Sequence, residues 1–165
     1  MDIETLFETY HDEIYRYLWR LSRDDSLTAD LTQETFLKAL PALHKLPPES
    51  NYRAWLYRIA ANTQHDYWRQ QKRRIIMDID MTQLAASGDI ESGYEQQEQL
   101  RLVAAAVIEL PEKQRQALIL HRYQELAYAD IAQILEISED SARANVYQAL
   151  KKLRERFSEG VKNDG

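Results

Sequence analysis

The first glycine in this chain is Gly88, and only Gly93, Gly160 and Gly165 follow it. A chain that almost never uses the residue that relaxes tight turns and bulges has little scope for hairpins. Its abundant Leu, Ala, Gln, Glu and Arg favour helix, so an all-α fold is expected. A Gly-rich phosphate loop is lacking, which argues against a nucleotide-driven enzyme. The 165 residues, 44% of them hydrophobic, suit one domain or two small ones with a buried core. There is no cysteine, which excludes disulfides, thiol catalysis and cysteine-ligated zinc. The histidines, His11, His44, His65 and His121, are scattered, and no two share a metal-ligand spacing. Neither a metal nor a cofactor is therefore expected. No apolar run reaches the roughly 18 residues of a membrane span, so no membrane insertion is expected. The acidic start, Met1-Asp-Ile-Glu-Thr5, lacks the apolar core of a secretion signal, so a cytoplasmic location is expected.

Helical periodicity divides the chain in two. Leu6, Tyr10, Ile14, Tyr17, Leu18 and Leu21 form a stripe that predicts a first helix from about Asp2 to Leu21. A second is expected from about Leu27 to Leu43, burying Leu31, Phe36, Leu37 and Leu40, with Pro41 kinking or fraying its last turn. The breaker His44-Lys-Leu-Pro-Pro-Glu-Ser50 follows, and Asn51 can cap a third helix to about Arg73. The stretch 76–93 reads as a flexible acidic linker between a first domain, 1–75, and a second, 94–160. Within the second, one helix is expected over about Tyr94 to Leu110 and another from Pro111, in its first turn, to Tyr123. The net charge of −6 lies wholly in residues 75–100, which hold no basic and 6 acidic side chains. By contrast, residues 53–74 carry 6 basic side chains against Asp66, and residues 141–156 carry 5 against Glu155. Charges beyond a Debye length of about 8 Å are largely screened, so these local basic patches count for more than the total.

The segment from Ala127 to Arg154 reads as a helix-turn-helix of winged-helix-like but wingless type. Ile131, Ala132 and Leu135 share a face of its first helix, Ile137 plugs the turn, and Ser138 caps the second helix. There Ala142, Val146, Ala149, Leu150 and Leu153 form the apolar stripe. Ser141, Arg143, Asn145, Gln148 and Lys151 lie opposite, with donors and acceptors suited to base edges in a major groove. An ordinary helical hairpin with a solvated polar face is the plainer alternative. The third helix interleaves Tyr52, Trp55, Tyr57, Tyr67 and Trp68 with Arg53, Arg58, Arg69, Lys72, Arg73 and Arg74. Rings on which unpaired bases stack, beside arginines for phosphates, suit single-stranded or melted DNA. Trp55 and some tyrosines must also fill so small a core, and a basic helix end complements the macrodipole. On the second helix, Asp30, Gln33, Glu34 and Lys38 share a polar face opposite Phe36 and Leu40, which is either solvated or protein-binding. No catalytic grouping is identifiable by spacing.

In the order Asp30-Leu-Thr-Gln-Glu-Thr-Phe-Leu-Lys-Ala39, Tyr52-Arg-Ala-Trp-Leu-Tyr-Arg-Ile-Ala-Ala-Asn62, Leu110-Pro-Glu-Lys-Gln-Arg-Gln-Ala117 and the closing helix-turn-helix, the chain resembles a bacterial RNA polymerase sigma factor of the extracytoplasmic-function (ECF) class. The resemblance covers about residues 4 to 156. It implies that Asp30, Gln33, Glu34 and Lys38 dock on the clamp helices of core RNA polymerase. It also implies that Lys45, Asn51, Tyr52, Arg53, Trp55, Arg58, Asn62 and Arg69 meet the −10 promoter element, where a base is extruded near the His44–Asn51 loop. Ser141, Arg143, Asn145, Gln148 and Lys151 would then read the −35 element. Implied partners are core polymerase, promoter DNA and an anti-sigma factor, with no small-molecule substrate. Two departures stand out. Glu136 occupies the turn position where the family commonly has glycine, and the recognition helix, with Ala144, Asn145 and Gln148, is less basic than usual. The alternatives are a stand-alone helix-turn-helix regulator of duplex DNA and a helical adaptor that binds only protein.

Overall fold

The computed structural model describes residues 1–77 and 95–162, with side chains described for 1–71 and 98–158. Almost all of the expected linker, and Tyr94, lie outside the described residues. Seven α-helices and one π-helical turn make up the described fold: α1 (Ile3–Ser22), α2 (Asp25–Leu43), α3 (Tyr52–Met77), α4 (Glu95–Ile108), α5 (Glu112–Leu118), the π turn (Ile119–Tyr123), α6 (Tyr128–Leu135) and α7 (Glu139–Lys162). No strand occurs among the described residues, and none of their helices is long and apolar enough to cross a membrane.

Helices α1 to α3 form one bundle. Asp2 caps α1 by accepting from the Thr5 amide at 2.7 Å, and that bond holds its carboxyl below the usual range. Leu6, Ile14, Tyr17, Leu18 and Leu21 are buried as the stripe predicts. Helix α2 buries Leu31, Phe36 and Ala39 together with Thr28, Thr32 and Thr35. Those threonines enter an apolar layer because each hydroxyl donates to a carbonyl one turn back, at 2.7 Å. Leu37 and Leu40, expected inside, are 60% and 50% exposed. They fall on the same side of α2 as Asp30 and Gln33, because the threonines take the inward positions. Pro41 does not end the helix, which runs on to Leu43 before the Lys45 and Leu46 amides close tighter turns onto Ala42 and Leu43. Asn51 caps α3 as expected, accepting from the Ala54 amide at 3.1 Å.

The second domain packs α4, α5 and α6 around α7, burying Leu118, Leu120, Ile131, Ile134, Val146 and Ala149. Ile134 takes the central place expected for Leu135, which is half-buried. Pro111 lies at the N-cap of α5 rather than inside its first turn. The expected helix to Tyr123 is interrupted by the π turn, where the Gln124 amide reaches back to the Ile119 carbonyl at 3.1 Å. Ser138 caps α7 by accepting from the Ser141 amide at 3.0 Å. Glu136, in the three-residue turn, is left-handed at φ 57°, ψ 45°. A Cβ costs about 1 kcal/mol there. Glu136→Gly is therefore expected to raise chemical-denaturation stability by about 1 kcal/mol. An equal or lower midpoint would mean that the Glu136 side chain contributes more than its backbone costs.

The two domains share one continuous core. Their polar join is a knot around Glu13. Its carboxylate accepts from Arg53 Nε at 3.0 Å and Nη2 at 2.8 Å, and from the Tyr57 hydroxyl at 3.1 Å. Gln124, placed by the π turn and buried, donates to the Glu13 carbonyl at 3.1 Å and to the Tyr57 oxygen at 2.8 Å. Burial raises the Tyr57 hydroxyl above its ordinary pKa, so it stays a donor. Gln124→Ala leaves buried partners unsatisfied and is expected to cost about 1–3 kcal/mol in urea unfolding. A loss under a few tenths would show that the knot contributes little.

Candidate nucleic-acid and protein interfaces

Helix α3 completes the first bundle with Ala54, Leu56, Tyr57, Ala60 and Ala61, all buried. Part of its remaining surface is a polar stripe. Asn51, Trp55, Arg58, Asn62 and Arg69 recur at intervals of three, four or seven residues, so they line one side of the helix. His65 completes the same line and was not among the expected contacts, although its place seven residues after Arg58 was readable. Three of the expected contacts lie elsewhere. Lys45 is exposed in the α2–α3 connection. Tyr52 is half-buried, with its hydroxyl donating to the Pro47 carbonyl at 3.2 Å. Arg53 turns to α1, and the Glu13 carboxylate beside it raises its already high pKa. Tyr57, expected among the stacking rings, is fully buried with edge-on packing against Tyr17 and offers no free face. The side chains of Lys72, Arg73 and Arg74 lie outside those described.

The stripe faces α6 and the start of α5. The Asn51 amide donates to Asp130 Oδ1 at 2.9 Å. Arg58 is ion-paired with Glu136, and His65 is paired with Glu112. Asn62 lines the small cleft between His65, Glu112 and Glu136. Farther along, Trp68 and Arg69 flank a groove closed by Leu110, Pro111 and Arg115. Three acidic side chains of the second domain thus meet three polar groups spaced by sevens on α3.

Helix α7 presents a different picture. Arg143, Gln148 and Lys151 are exposed, and Ser141 is half-buried. Asn145 is half-buried and donates to the Ser141 carbonyl at 2.9 Å, which ties its amide to its own helix. Arg143 lies over the Tyr128 ring at 5.1 Å and pairs with Asp140 at 3.3 Å. Tyr147, 57% exposed, stands in the middle of this surface and was missed because its ring reads as core material in a periodicity argument.

On α2, Asp30, Gln33, Glu34 and Lys38 are all exposed. Lys38 pairs with Glu34 at 3.2 Å and donates to Thr63 on α3 at 3.2 Å, so it braces the bundle as well. The expected wholly polar face is not observed. Leu37 lies among these polar groups, and beside it an open groove of about 540 Å³ runs between α1 and α2, lined by Ile3, Phe7, Phe36 and Leu40. Contiguous exposed apolar side chains with a polar rim mark a protein-docking face more than a solvated one.

A family model described as Sigma-70 region 2 matches residues 6–74, and one described as Sigma-70, region 4 matches residues 100–153. The chain is 29% identical over 164 residues to the ECF RNA polymerase sigma factor SigM of Bacillus subtilis (strain 168), covering 99% of this chain and 100% of that relative. To the RNA polymerase sigma factor SigZ of the same organism it is 30% identical over 156 residues, 94% of this chain and 86% of the relative. To the ECF RNA polymerase sigma-E factor of Haemophilus influenzae it is 30% identical over 155 residues, 87% and 81% of the two chains. Among solved structures, the sigma factor RpoE, co-crystallised with the anti-sigma factor NepR from Bartonella quintana, superposes with a TM-score of 0.74 at 22% identity, covering 94% of this chain and 96% of that one.

Proposed function

We infer that this chain, which belongs to the sigma-70 family and within it to the ECF sigma factors, directs core RNA polymerase to promoters by reading a −10 and a −35 element. It works in the cytoplasm as an initiation factor and not as an enzyme, since the chemistry of RNA synthesis is the polymerase's. An anti-sigma partner fits the family. The observation that carries the reading is the separation of three unlike surfaces, on α2, α3 and α7, within a chain whose two matched regions take the family's order.

The α2 face, with Leu37 amid Asp30, Gln33 and Glu34, docks on polymerase. Apolar area there supplies affinity and the polar rim supplies register. The α3 stripe of Asn51, Trp55, Arg58, Asn62 and Arg69, joined by Lys45, meets the opened −10 strand. Arginines there compensate phosphate charge and Trp55 offers a stacking edge. Arg53 and Tyr52 support this surface from behind by holding Glu13 and Pro47. On α7, Arg143, Gln148 and Lys151 with Ser141 and Tyr147 enter the −35 major groove, and Asn145 contributes only if its bond to Ser141 is exchanged.

The test is run-off transcription with core polymerase, after start sites are mapped on genomic DNA. Wild type is expected to create new, shared start sites. Leu37→Asp is expected to weaken core binding about tenfold while leaving the fold intact, because Leu37 is already exposed. Arg143→Ala is expected to lose about 1–3 kcal/mol of promoter preference, confined to promoters with a −35 element. Start sites indifferent to the added protein would refute the assignment. Equal loss on promoters with and without the −35 element would refute the role of Arg143.

A further inference from the structure

We propose that Tyr128, at the start of α6, is a positioning residue for the −35 contact: its ring holds the Arg143 guanidinium of α7 in the place from which it meets a base edge. The inference rests on the assignment of Arg143 to the −35 element. Arg143 lies over the Tyr128 ring at 5.1 Å. The His121 imidazole is stacked on the same ring at 4.4 Å, with the two planes 17° apart. His121 comes from the π turn, where its Nδ1 lies 3.4 Å from the Leu126 carbonyl. Tyr128 itself is half-buried and packs against the core. Its ring is therefore a fixed platform, built where the π turn, α6 and α7 meet.

This platform meets a demand that α7 cannot meet alone. An arginine side chain is long and flexible, and ordering it in a groove costs rotamer freedom at the moment of binding. The other partner of Arg143 is a poor tether. Asp140 lies three residues back on the same helix at 3.3 Å, and its side chain is 98% exposed. Exposed pairs of this kind are weak and screened by salt. The pair also occupies an N–H group that a base would otherwise receive. The ring differs on both counts. A cation over an aromatic face is attracted by the ring's quadrupole and uses none of its N–H donors for that contact. The planar fork of the guanidinium stays available for the two acceptors, O6 and N7, that guanine presents in the major groove.

Removing the ring leaves the Arg143 charge in place. General attraction to phosphates is then retained, while the preference for one sequence over another falls. That combination separates a positioning role from a purely electrostatic one.

The experiment uses the full chain with core polymerase and a promoter taken from the start-site mapping. The promoter is supplied in two competing forms, one with the −35 element intact and one with it scrambled, and the ratio of run-off products gives the −35 preference. The ratio is read for wild type, Tyr128→Leu, Tyr128→Phe, Arg143→Ala and the Tyr128→Leu/Arg143→Ala double variant. Arg143→Ala is expected to lower it about tenfold, and Tyr128→Leu about fivefold. Tyr128→Phe keeps the ring and is expected to stay within about twofold of wild type, and Tyr128→Leu is to add no more than about twofold once Arg143 is absent. Because Tyr128 also packs on the core, the contact is read a second way that keeps the ring. In NMR spectra of wild type and Tyr128→Phe, the ring current is expected to displace the Arg143 Hδ protons upfield. Equal losses from Tyr128→Leu with and without Arg143, a loss in Tyr128→Phe as large as in Tyr128→Leu, or undisplaced Arg143 protons overturn the proposal. If Arg143→Ala lowers the preference and Tyr128→Leu does not, positioning alone fails. If Arg143→Ala leaves the preference unchanged, the −35 role of Arg143 fails and positioning fails with it.

Discussion

Helix α3 has to satisfy two demands with one circumference. About half of its turn closes the core of the first bundle through Leu56, Tyr57 and Ala60, and the rest of its circumference includes a line of polar side chains. Every other feature of the molecule can be placed by reference to that line. Helices α1 and α2 fix its orientation from behind, Glu13 secures its start through Arg53 and Tyr57, and three acidic side chains of the second domain meet it in front. Asn51, Arg58, Asn62 and Arg69 remain exposed on that side.

The second domain reaches the stripe through two backbone irregularities. The π turn at Ile119–Tyr123 adds a residue to one helical turn and swings Gln124 into the Glu13–Tyr57 knot. The left-handed Glu136 ends α6 with its amide and that of Ile137 both closing on the Ala132 carbonyl, which aims its carboxylate at Arg58. Both depart from ideal helix, and both lie at the domain boundary.

Much of this was legible in the sequence, and the reasons differ by element. Scarce glycine and clear apolar spacing marked α1, α2, α3 and α7, and the caps at Asn51 and Ser138 were readable because capping is local chemistry. The unusual Glu136 was visible as a departure, but its partner 78 residues away was not. Leu37 and Leu40 were misplaced because periodicity counts leucine as interior and threonine as surface. Three buried threonines with hydroxyls returned to their own helix reverse that rule. Gln124 carried no signal at all, since a buried glutamine is defined by distant partners. Tyr57 could be either a stacking ring or core from sequence, and only burial distinguishes the two.

Assignment of the α3 stripe to the promoter strand can be tested on the side chains themselves. Hydroxyl-radical footprinting of Trp55 and His65 reads their solvent access directly in three states: the free chain, the complex with core polymerase, and that complex on promoter DNA. The assignment predicts measurable oxidation in the free chain and in the polymerase complex, because both side chains are partly exposed, and protection once the promoter is bound. Oxidation at one unchanging rate through all three states would contradict it.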